Sequence, residues 1–355
     1  MTIGYHSPMP PARTGVAEYS QSLVNALRRI ADVDVNPPPS RWTANVYNVG
    51  NNLLHREIYA NALRFPGAVL LHDAVLHHFF LGANDRQAYV DEFVYNYGEW
   101  HRSTAEHLWK DRAQSGHAAV YFRYPMLRRL LESARAVAVH NAAAARIVRE
   151  HAPSVPVVEI PHLLEPPPPP PAVRLFPEQR FVFGIFGHLR ESKRIPVVIG
   201  AFRRIRRAIP GAALVIAGEF VSPDLARAIP NSEPGIIRVP YLPERGFWDL
   251  AHSVDCCISL RYPSAAETSG IAIRLMGAGK PVIVTAGEET AAMPDTAGLR
   301  VDPGPPEAEM LAAYMLWLAK NPAQASWIGG QAAQHIRTHH DPDRAARLLL
   351  ATMKN

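Results

Sequence analysis

The chain of 355 residues contains little cysteine and no long apolar stretch. Its two cysteines, Cys256 and Cys257, are adjacent, so they can neither staple the fold nor match the spacing of a zinc site. No apolar run approaches the roughly 20 residues that span a bilayer. The first residues lack the basic start and apolar core of a secretion signal. These absences predict a cytoplasmic protein.

Several catalytic signatures are also missing. The sequence has no Gly-x-Gly-x-x-Gly, which argues against a dinucleotide redox enzyme, and no Gly-x-Ser-x-Gly, which argues against an α/β-hydrolase. Residues 277–281 (Gly-Ala-Gly-Lys-Pro) are similar to the end of a P-loop, but Pro281 stands where a Walker motif needs Ser or Thr. We therefore do not expect nucleotide hydrolysis.

Charge is only mildly unbalanced, with 37 Lys and Arg against 32 Asp and Glu and a net charge of +5. No basic stripe is interleaved with aromatic residues, so no nucleic-acid partner is expected. Four arginines share the outer face of a predicted helix over 195–209. That face indicates either an ordinary solvated surface or a peripheral contact with anionic lipid; the four are Arg203, Arg204, Arg206 and Arg207.

A run of six prolines at 166–171 marks the strongest boundary, because such a run forms a stiff spacer without hydrogen-bond donors. The length allows about two domains, and 48% hydrophobic residues can fill their cores. We predict a first domain over 1–165, a linker over 166–180, a second domain over 181–335 and a C-terminal helix over 336–355.

Short buried strands alternate with helices in both halves. Strands are predicted at 67–71 and 134–139 in the first half, and at 181–186, 213–217, 255–260 and 281–285 in the second. Helices are predicted at 16–30, 195–209 and 271–278. This order predicts two α/β doubly wound domains with parallel sheets and a cleft between them. Ligands then bind beyond the carboxyl ends of the strands, in the loops 8–15, 72–78, 187–194 and 261–270.

Two of these loops have features of phosphate sites. Gly15 precedes a predicted helix whose first amides could face a phosphate, and the alternative is an ordinary loop with a glycine turn. Lys193 and Arg194 stand just before another helix, where cations oppose the helix dipole. A bound diphosphate would compensate them, and the alternative is a solvated basic pair.

The other two loops carry polar side chains. Glu267 offers a carboxylate, and either Thr268 or Ser269 could cap the helix that follows. His72 ends a predicted strand, which makes it a functional candidate. His72-Asp73 and His77-His78 lack the spacing of a metal site, so no metal is expected.

Together these segments resemble glycosyltransferase family 4, the group 1 glycosyl transferases, which are retaining enzymes with the GT-B fold of two Rossmann-like domains facing across a cleft. Residues 183–194 (Phe-Gly-Ile-Phe-Gly-His-Leu-Arg-Glu-Ser-Lys-Arg) are similar to that family's Gly-Arg-Leu-x-x-x-Lys motif. Residues 217–219 (Ala-Gly-Glu) resemble its next strand end. Residues 267–270 (Glu-Thr-Ser-Gly) and 276–285 resemble its carboxylate loop and the following helix and strand.

The resemblance implies a transfer of a hexose from a nucleoside-diphosphate sugar to an acceptor bound mainly by the first domain. The acceptor could be a polysaccharide precursor, a lipid-linked sugar or a small molecule. The resemblance implies no cofactor and no metal, since protein cations neutralise the leaving diphosphate. It also implies that the last helix packs back on the first domain. Two alternatives stay open: a catalytically weak subunit that binds a nucleotide sugar or a partner, and a sugar-nucleotide epimerase.

Site residues follow by the same resemblance. His72 and Glu267 would lie beside the transferred sugar, and Lys193 would pair with the diphosphate, which makes these three the catalytic candidates. The residues expected to bind the donor are Gly15, Gly187, Arg194, Glu219, Thr268, Ser269, Gly270 and Arg274.

This chain departs from the family pattern at two positions. His188 stands where the family has a phosphate-binding arginine, and Arg194 is its possible substitute. Arg274 stands near the place of the second carboxylate, which holds the nucleotide ribose. Arginine has no acceptor for a ribose hydroxyl. If Arg274 faces the nucleotide, ribose and deoxyribose donors should be discriminated weakly, unless Glu267, Thr268 or Ser269 takes the ribose.

Overall fold

The computed structural model describes residues 2–40, 44–229 and 232–353. The chain divides into two compact units. The first comprises Met1–Glu165, Pro263–Thr268 and His340–Asn355, and the second comprises Pro166–Tyr262 and Ser269–His339. The short segment 263–268 therefore belongs to the first unit, although strands of the second unit flank it in sequence.

A six-stranded parallel sheet forms the centre of the first unit, in the order β2-β1-β3-β4-β5-β6. Alternate residues of each strand face opposite layers of helices, as the two-residue period requires. In β4, for example, Ala68 and Leu70 pack on one side, and Val69 and Leu71 on the other. The strands are β1 (Thr2–His6), β2 (Asp32–Val35), β3 (Ala44–Val49), β4 (Ala68–Leu71), β5 (Ala136–Val139) and β6 (Val157–Glu159).

Eight helices of the described residues surround this sheet. Helices α1 and α14 pack against each other on one face, and the others contribute mainly to the opposite layer. They are α1 (Gly15–Leu27), α2 (Arg56–Arg64), α3 (His77–Ala83), α4 (Arg86–Tyr97), α5 (Arg102–Lys110), α6 (Arg128–Ser133), α7 (Ala142–His151) and α14 (Pro342–Thr352).

The second unit has its own six-stranded parallel sheet, in the order β12-β11-β10-β7-β8-β9. The strands are β7 (Phe181–Phe186), β8 (Ala212–Ala217), β9 (Ile236–Val239), β10 (Cys256–Ser259), β11 (Val282–Thr285) and β12 (Gly298–Val301). The helices are α8 (Ile195–Ala208), α9 (Pro223–Ala228), α10 (Glu244–Ser253), α11 (Gly270–Gly277), α12 (Glu307–Lys320) and α13 (Pro322–His339).

The predicted α/β class with parallel sheets is confirmed. Sequence reasoning did not identify β2, β3, β6, β9 and β12, because they are short or because charged or amide side chains interrupt their apolar pattern, as Asn45 and Asn48 do in β3. The helix predicted over 16–30 ends at Leu27, and Ile30 is 43% exposed.

The region predicted as one C-terminal helix over 336–355 instead contains the end of one helix and the whole of the next. Helix α13 ends at His339, and α14 begins at Pro342 after the cap Asp341, whose carboxylate accepts from the Arg344 amide at 2.9 Å. Among the described residues, no helix combines the length and hydropathy that crossing a membrane requires.

Candidate active site

The second sheet reverses its strand order between β7 and β10, and ligands bind at such switch points. β7 leads through Gly187 to the short 3-10 helix Glu191–Lys193 and then to α8. Gly187 has φ +89°, a left-handed conformation that favours glycine. The loop predicted to bind phosphate therefore begins at the carboxyl end of a switch-point strand.

Lys193 is 3% exposed and is the one lysine or arginine that is buried among the residues the structure describes. Arg261, which follows β10, lies in the same region. Both positive charges act on the Cys257 thiol of β10, although burial still raises the pKa of that thiol to about 12. Two positive charges thus lie at this end of the sheet, which suits it to an anion.

The ends of β7 and β8 approach each other closely. Gly218 has φ +139°, and a Cβ atom there would lie 1.9 Å from the carbonyl oxygen of Gly187. A side chain at residue 218 is therefore excluded by both conformation and space. Glu219 follows with an exposed side chain, and its carbonyl accepts from the Leu189 amide at 2.8 Å.

Helix α11 begins at the same edge of the second sheet. Ser269 is its N-cap: its hydroxyl accepts from the Ala272 amide at 3.2 Å and lies 2.9 Å from the Ser259 hydroxyl. Gly270 is the first helical residue. Arg261 Nη2 lies 3.5 Å from the same Ser269 oxygen. Of the two caps predicted, the structure uses Ser269.

Arg194 has a protein partner. Its guanidinium donates two hydrogen bonds to Oε2 of Glu307, at 2.9 Å from Nε and 2.7 Å from Nη2. The Glu307 side chain is 2% exposed, so this ion pair is buried on the acidic side. The prediction that Arg194 replaces the phosphate arginine stays a prediction, with Glu307 as a competitor for its charge.

Arg274 also has partners within the second unit. Nη2 donates to Oε1 of Glu244 at 2.6 Å, and the guanidinium lies 3.8 Å from the centre of the Phe247 ring. The Trp248 indole donates to the same Glu244 oxygen at 2.6 Å. Helix α10 thus brings a carboxylate to the position where the sequence has an arginine in place of the family's second carboxylate.

In the first unit, Gly15 is the first residue of α1 and follows the N-cap Thr14. A Cβ atom at Gly15 would meet no atom within 4 Å. The amino end of α1 is therefore open. The proposed approach of a phosphate to this glycine has the necessary space.

His72 follows β4 and is buried. Its Nε2 lies 3.1 Å from Asn48 Oδ1, and its Nδ1 lies 3.1 Å from Nε2 of His140. The Tyr19 ring packs edge-on against both imidazoles at 5.0 Å between centres. Burial, reinforced by the neighbouring histidines, holds the pKa of His72 well below its usual range. His72 is therefore neutral at pH 7, with both ring nitrogens in contact with protein groups.

The segment 263–268 attaches to the carboxyl ends of β4 and β5. The Ala74 amide donates to Ala265 O at 2.9 Å, and Asn141 Nδ2 donates to Ala266 O and to the Thr268 hydroxyl at 2.9 and 3.0 Å. Glu267 Oε2 accepts from the Ala265 amide at 2.8 Å. Glu267 and Thr268 thus share the first unit with Gly15 and His72.

The remaining predicted site residues lie in the second unit: Gly187, Lys193, Arg194, Glu219, Ser269, Gly270 and Arg274. The cleft predicted between two domains stays a prediction. Within the described ranges, no group of three His, Cys, Asp or Glu side chains could hold a metal ion.

The arginine face of α8 is largely paired. Arg203 forms an ion pair with Glu233 at 2.8 Å, and Arg204 with Glu309 at 2.5 Å. Arg206 donates to the carbonyl of Ala212 at 2.9 Å. These contacts favour the solvated-surface interpretation, and the predicted contact with anionic lipid stays a prediction.

A family model described as "Glycosyl transferases group 1" matches residues 180–321. Residues 180–321 form a glycosyltransferase group 1 domain. This segment contains the loops at Gly187, Lys193 and Ser269. The predicted resemblance to the group 1 glycosyl transferases is thereby confirmed for this segment, and membership of family 4, the retaining mechanism and the acceptor stay predictions.

Solved structures share the fold of the whole chain at low sequence identity. HepE from Anabaena, in complex with UDP-glucose, has a TM-score of 0.64 and 13% identity and covers 100% of this chain and 99% of its own. Sucrose-phosphate synthase from Thermosynechococcus elongatus has a TM-score of 0.63 and 16% identity, with 99% and 97% covered. These matches confirm the GT-B fold. No curated protein matches the sequence.

Sequence reasoning missed several residues that the structure places at these sites. His140 ends a predicted strand, as His72 does, so the same criterion could have identified it. Asn48 and Glu244 carried no local signal, because their partners are distant in sequence. Arg261 lies within a loop that was predicted, and its position beside Lys193 follows from the order of β7 and β10.

Proposed function

We propose that this protein transfers a sugar from a nucleoside-diphosphate sugar to an acceptor hydroxyl with retention of the anomeric configuration. The proposal is carried by Lys193, a buried cation at the switch point of the glycosyltransferase domain. UDP-glucose is the first donor to test, since HepE shares the fold and was solved with that molecule. The acceptor class stays open.

The donor diphosphate is proposed to lie at the carboxyl ends of β7 and β10. Lys193 and Arg261 supply positive charge there, and the first amides of α11 point toward the same edge. The bond from the anomeric carbon to the diphosphate breaks as the acceptor oxygen bonds to that carbon. Negative charge grows on the leaving diphosphate oxygen, which takes up the proton that the acceptor hydroxyl loses. Fixed cations in a partly dehydrated site stabilise that charge more than water does. We propose no metal, so turnover should survive EDTA.

The first unit is proposed to supply His72 and Glu267 beside the transferred sugar and Gly15 beside the diphosphate. His72 is a neutral imidazole, and Glu267 is a carboxylate that accepts from the Ala265 amide and the Ser264 hydroxyl; both groups can hydrogen-bond hydroxyls. The oxygens of a sugar and of an acceptor alcohol match such groups.

The test is UDP release from UDP-glucose by the intact protein and by Lys193→Met. Loss of one electrostatic stabiliser should lower turnover by about two orders of magnitude. Lys280→Met is the matched control: Lys280 is a partly buried lysine of the same unit that precedes β11 at the opposite edge and donates to His252 O at 2.8 Å. Near-full activity in Lys193→Met would contradict the proposal.

Two other functions have distinct outcomes in the same assay. UDP binding without turnover, over a panel of donors and acceptors, would indicate a nucleotide-sugar-binding subunit. Release of UDP with an epimerised sugar and no acceptor would indicate an epimerase. The ion pair of Arg274 with Glu244 is compatible with all three functions, so the assay has to distinguish them.

A further inference from the structure

Neighbouring strands bring His72 and His140 into register. β4 and β5 pair Ala68 with Ala136 and Leu70 with Ala138, a constant offset of 68 residues. The same offset relates the two histidines that follow these strands. Their facing nitrogens, Nδ1 of His72 and Nε2 of His140, lie 3.1 Å apart.

This contact belongs to a longer chain of hydrogen bonds that ends on two backbone carbonyls. At one end, His140 Nδ1 lies 3.0 Å from Ile160 O. At the other end, His72 Nε2 lies 3.1 Å from Asn48 Oδ1, and Asn48 Nδ2 donates to His6 O at 3.2 Å. Carbonyl oxygens only accept hydrogen bonds. Four contacts therefore connect two obligatory acceptors through one amide and two imidazoles.

The chain is one hydrogen short when both rings are neutral. A neutral imidazole donates from one nitrogen and accepts at the other, and the Asn48 amide donates on one side and accepts on the other. The three groups thus supply three donors for four contacts. Flipping the amide or exchanging the tautomers of His72 and His140 moves the gap but does not remove it. One added proton gives each of the four contacts one hydrogen. A second added proton would have no acceptor within this series of hydrogen bonds.

The surroundings keep the unliganded pair neutral. Burial lowers the pKa of His72 well below its usual range and the pKa of His140 to about 4. Among the described residues, the titratable groups that contact or act on the pair are His55 after β3, His162 after β6, Tyr19 of α1 and, across Asn48, Tyr5 of β1. Asp73 follows His72 in the chain. The Asp73 Oδ2 accepts from the Asn51 amide at 2.8 Å.

We propose that His140 is a positioning residue for His72, and that the two rings take up one shared proton from solvent when a negatively charged group binds at this edge of the first sheet. A nearby negative charge favours the protonated form of an imidazole. The inference rests on the proposed function, in which the donor diphosphate near Gly15 supplies that charge. Uptake of the proton would complete the hydrogen bonds that fix the orientation of His72.

The experiment counts protonated ring nitrogens by NMR in protein labelled with 15N-histidine, at pH 7.5, without and with saturating UDP. The signals of the pair are assigned with His72→Gln and His140→Gln. We expect two N–H groups on the pair without UDP and three with UDP. Two with UDP bound, three without UDP, or four in either state would overturn the proposal.

If UDP does not bind at all, the proposed function fails and the pair is still tested by acid titration. Uptake of one proton by the pair before unfolding supports the shared site, while uptake of none or two contradicts it.

Two asparagines of β3 provide matched variants. Asn48→Leu shortens the chain to two contacts, which the two neutral rings can fill, so UDP should add no N–H group. Asn45→Leu removes a comparable amide, whose Oδ1 lies 3.1 Å from His6 Nε2, and should leave the uptake intact. A third N–H group in UDP-bound Asn48→Leu would contradict the proposal. If that variant does not fold, the comparison on the unaltered protein decides alone.

Discussion

The two parallel sheets end in different chemistry at their carboxyl edges. The carboxyl ends of the first sheet's strands carry neutral imidazoles and an amide, namely His72, His140 and Asn48. At the second sheet, the cations Lys193 and Arg261 flank the switch point. Similar topology thus presents hydrogen-bonding groups suited to hydroxyls in one unit and positive charge suited to phosphate in the other.

This difference teaches that the fold fixes where a ligand binds, and the residues at the strand ends fix which ligand it is. Each unit also protects its edge differently. The first unit covers β4 and β5 with the segment 263–268, whereas the second brings the ends of β7 and β8 together at Gly218.

The largest effect is expected from Gly218→Ala in the second unit. Its Cβ atom would meet the Gly187 carbonyl at 1.9 Å in a backbone conformation that alanine rarely adopts. We expect the free energy of unfolding to fall by more than about 2 kcal/mol. Gly15→Ala in the first unit has open space and should change it by less than about 0.5 kcal/mol. Urea denaturation of both variants measures the difference. Equal stabilities would contradict the close approach of residue 218 to the Gly187 carbonyl.

Acid should destabilise the first unit more than the second. Burial lowers the pKa of His55 to about 4 and of His77 to about 3, and both lie in the first unit. Because the unfolded chain binds protons near pH 6.5 and these folded sites do not, stability falls as the pH drops below 6.5 toward 4. For His55 alone this amounts to about 2 kcal/mol by pH 4.5.

The measurement is hydrogen–deuterium exchange by mass spectrometry at pH 7.5 and 5, corrected for intrinsic rates. Peptides of the first unit should lose more protection. In the second unit, His252 has a lowered pKa and is only partly buried. Equal loss in both units would show that other groups dominate the acid response.

Two glutamates of α12 test whether Arg194 has a structural role. Glu307→Gln weakens a buried ion pair with Arg194 and should cost about 2 kcal/mol of folding stability. Glu309→Gln weakens an exposed pair with Arg204 and should cost less than about 0.5 kcal/mol. Thermal unfolding compares them. If Glu307→Gln is as stable as Glu309→Gln, Arg194 is available for another partner, and its predicted contact with the donor gains support.

The smallest expected effect concerns the nucleotide ribose. The Arg274 guanidinium has no acceptor for a hydroxyl, and Oε1 of Glu244 already receives hydrogen bonds from Arg274 and Trp248. We expect UDP and 2′-deoxy-UDP to differ in affinity by less than about tenfold, since discrimination needs a dedicated acceptor. Calorimetric titration measures both. A preference of about a hundredfold for UDP would identify such an acceptor, with Glu244 as the first candidate to replace by Gln.

Local sequence patterns predicted the strands that end at the candidate sites and the loops that follow them. Strand ends are encoded locally, by a short apolar run followed by Gly187 in one unit and by His72 in the other. Pairings between residues on different strands or helices are not encoded locally. The contact of Arg194 with Glu307 joins residues 113 apart, and that of Asn48 with His72 depends on the order of strands. The assignment of 263–268 to the first unit also depends on tertiary contacts, through Asn141.

The central claim is that the second unit binds the donor diphosphate through its buried cation. The direct measurement is the affinity of UDP for the unaltered protein, for Lys193→Met and for Lys280→Met, determined by isothermal titration calorimetry. A lost charge-assisted hydrogen bond is worth about 1.5–3 kcal/mol, so Lys193→Met should bind UDP at least about tenfold more weakly. Lys280→Met should bind it as the unaltered protein does. Equal affinity in Lys193→Met would contradict the account.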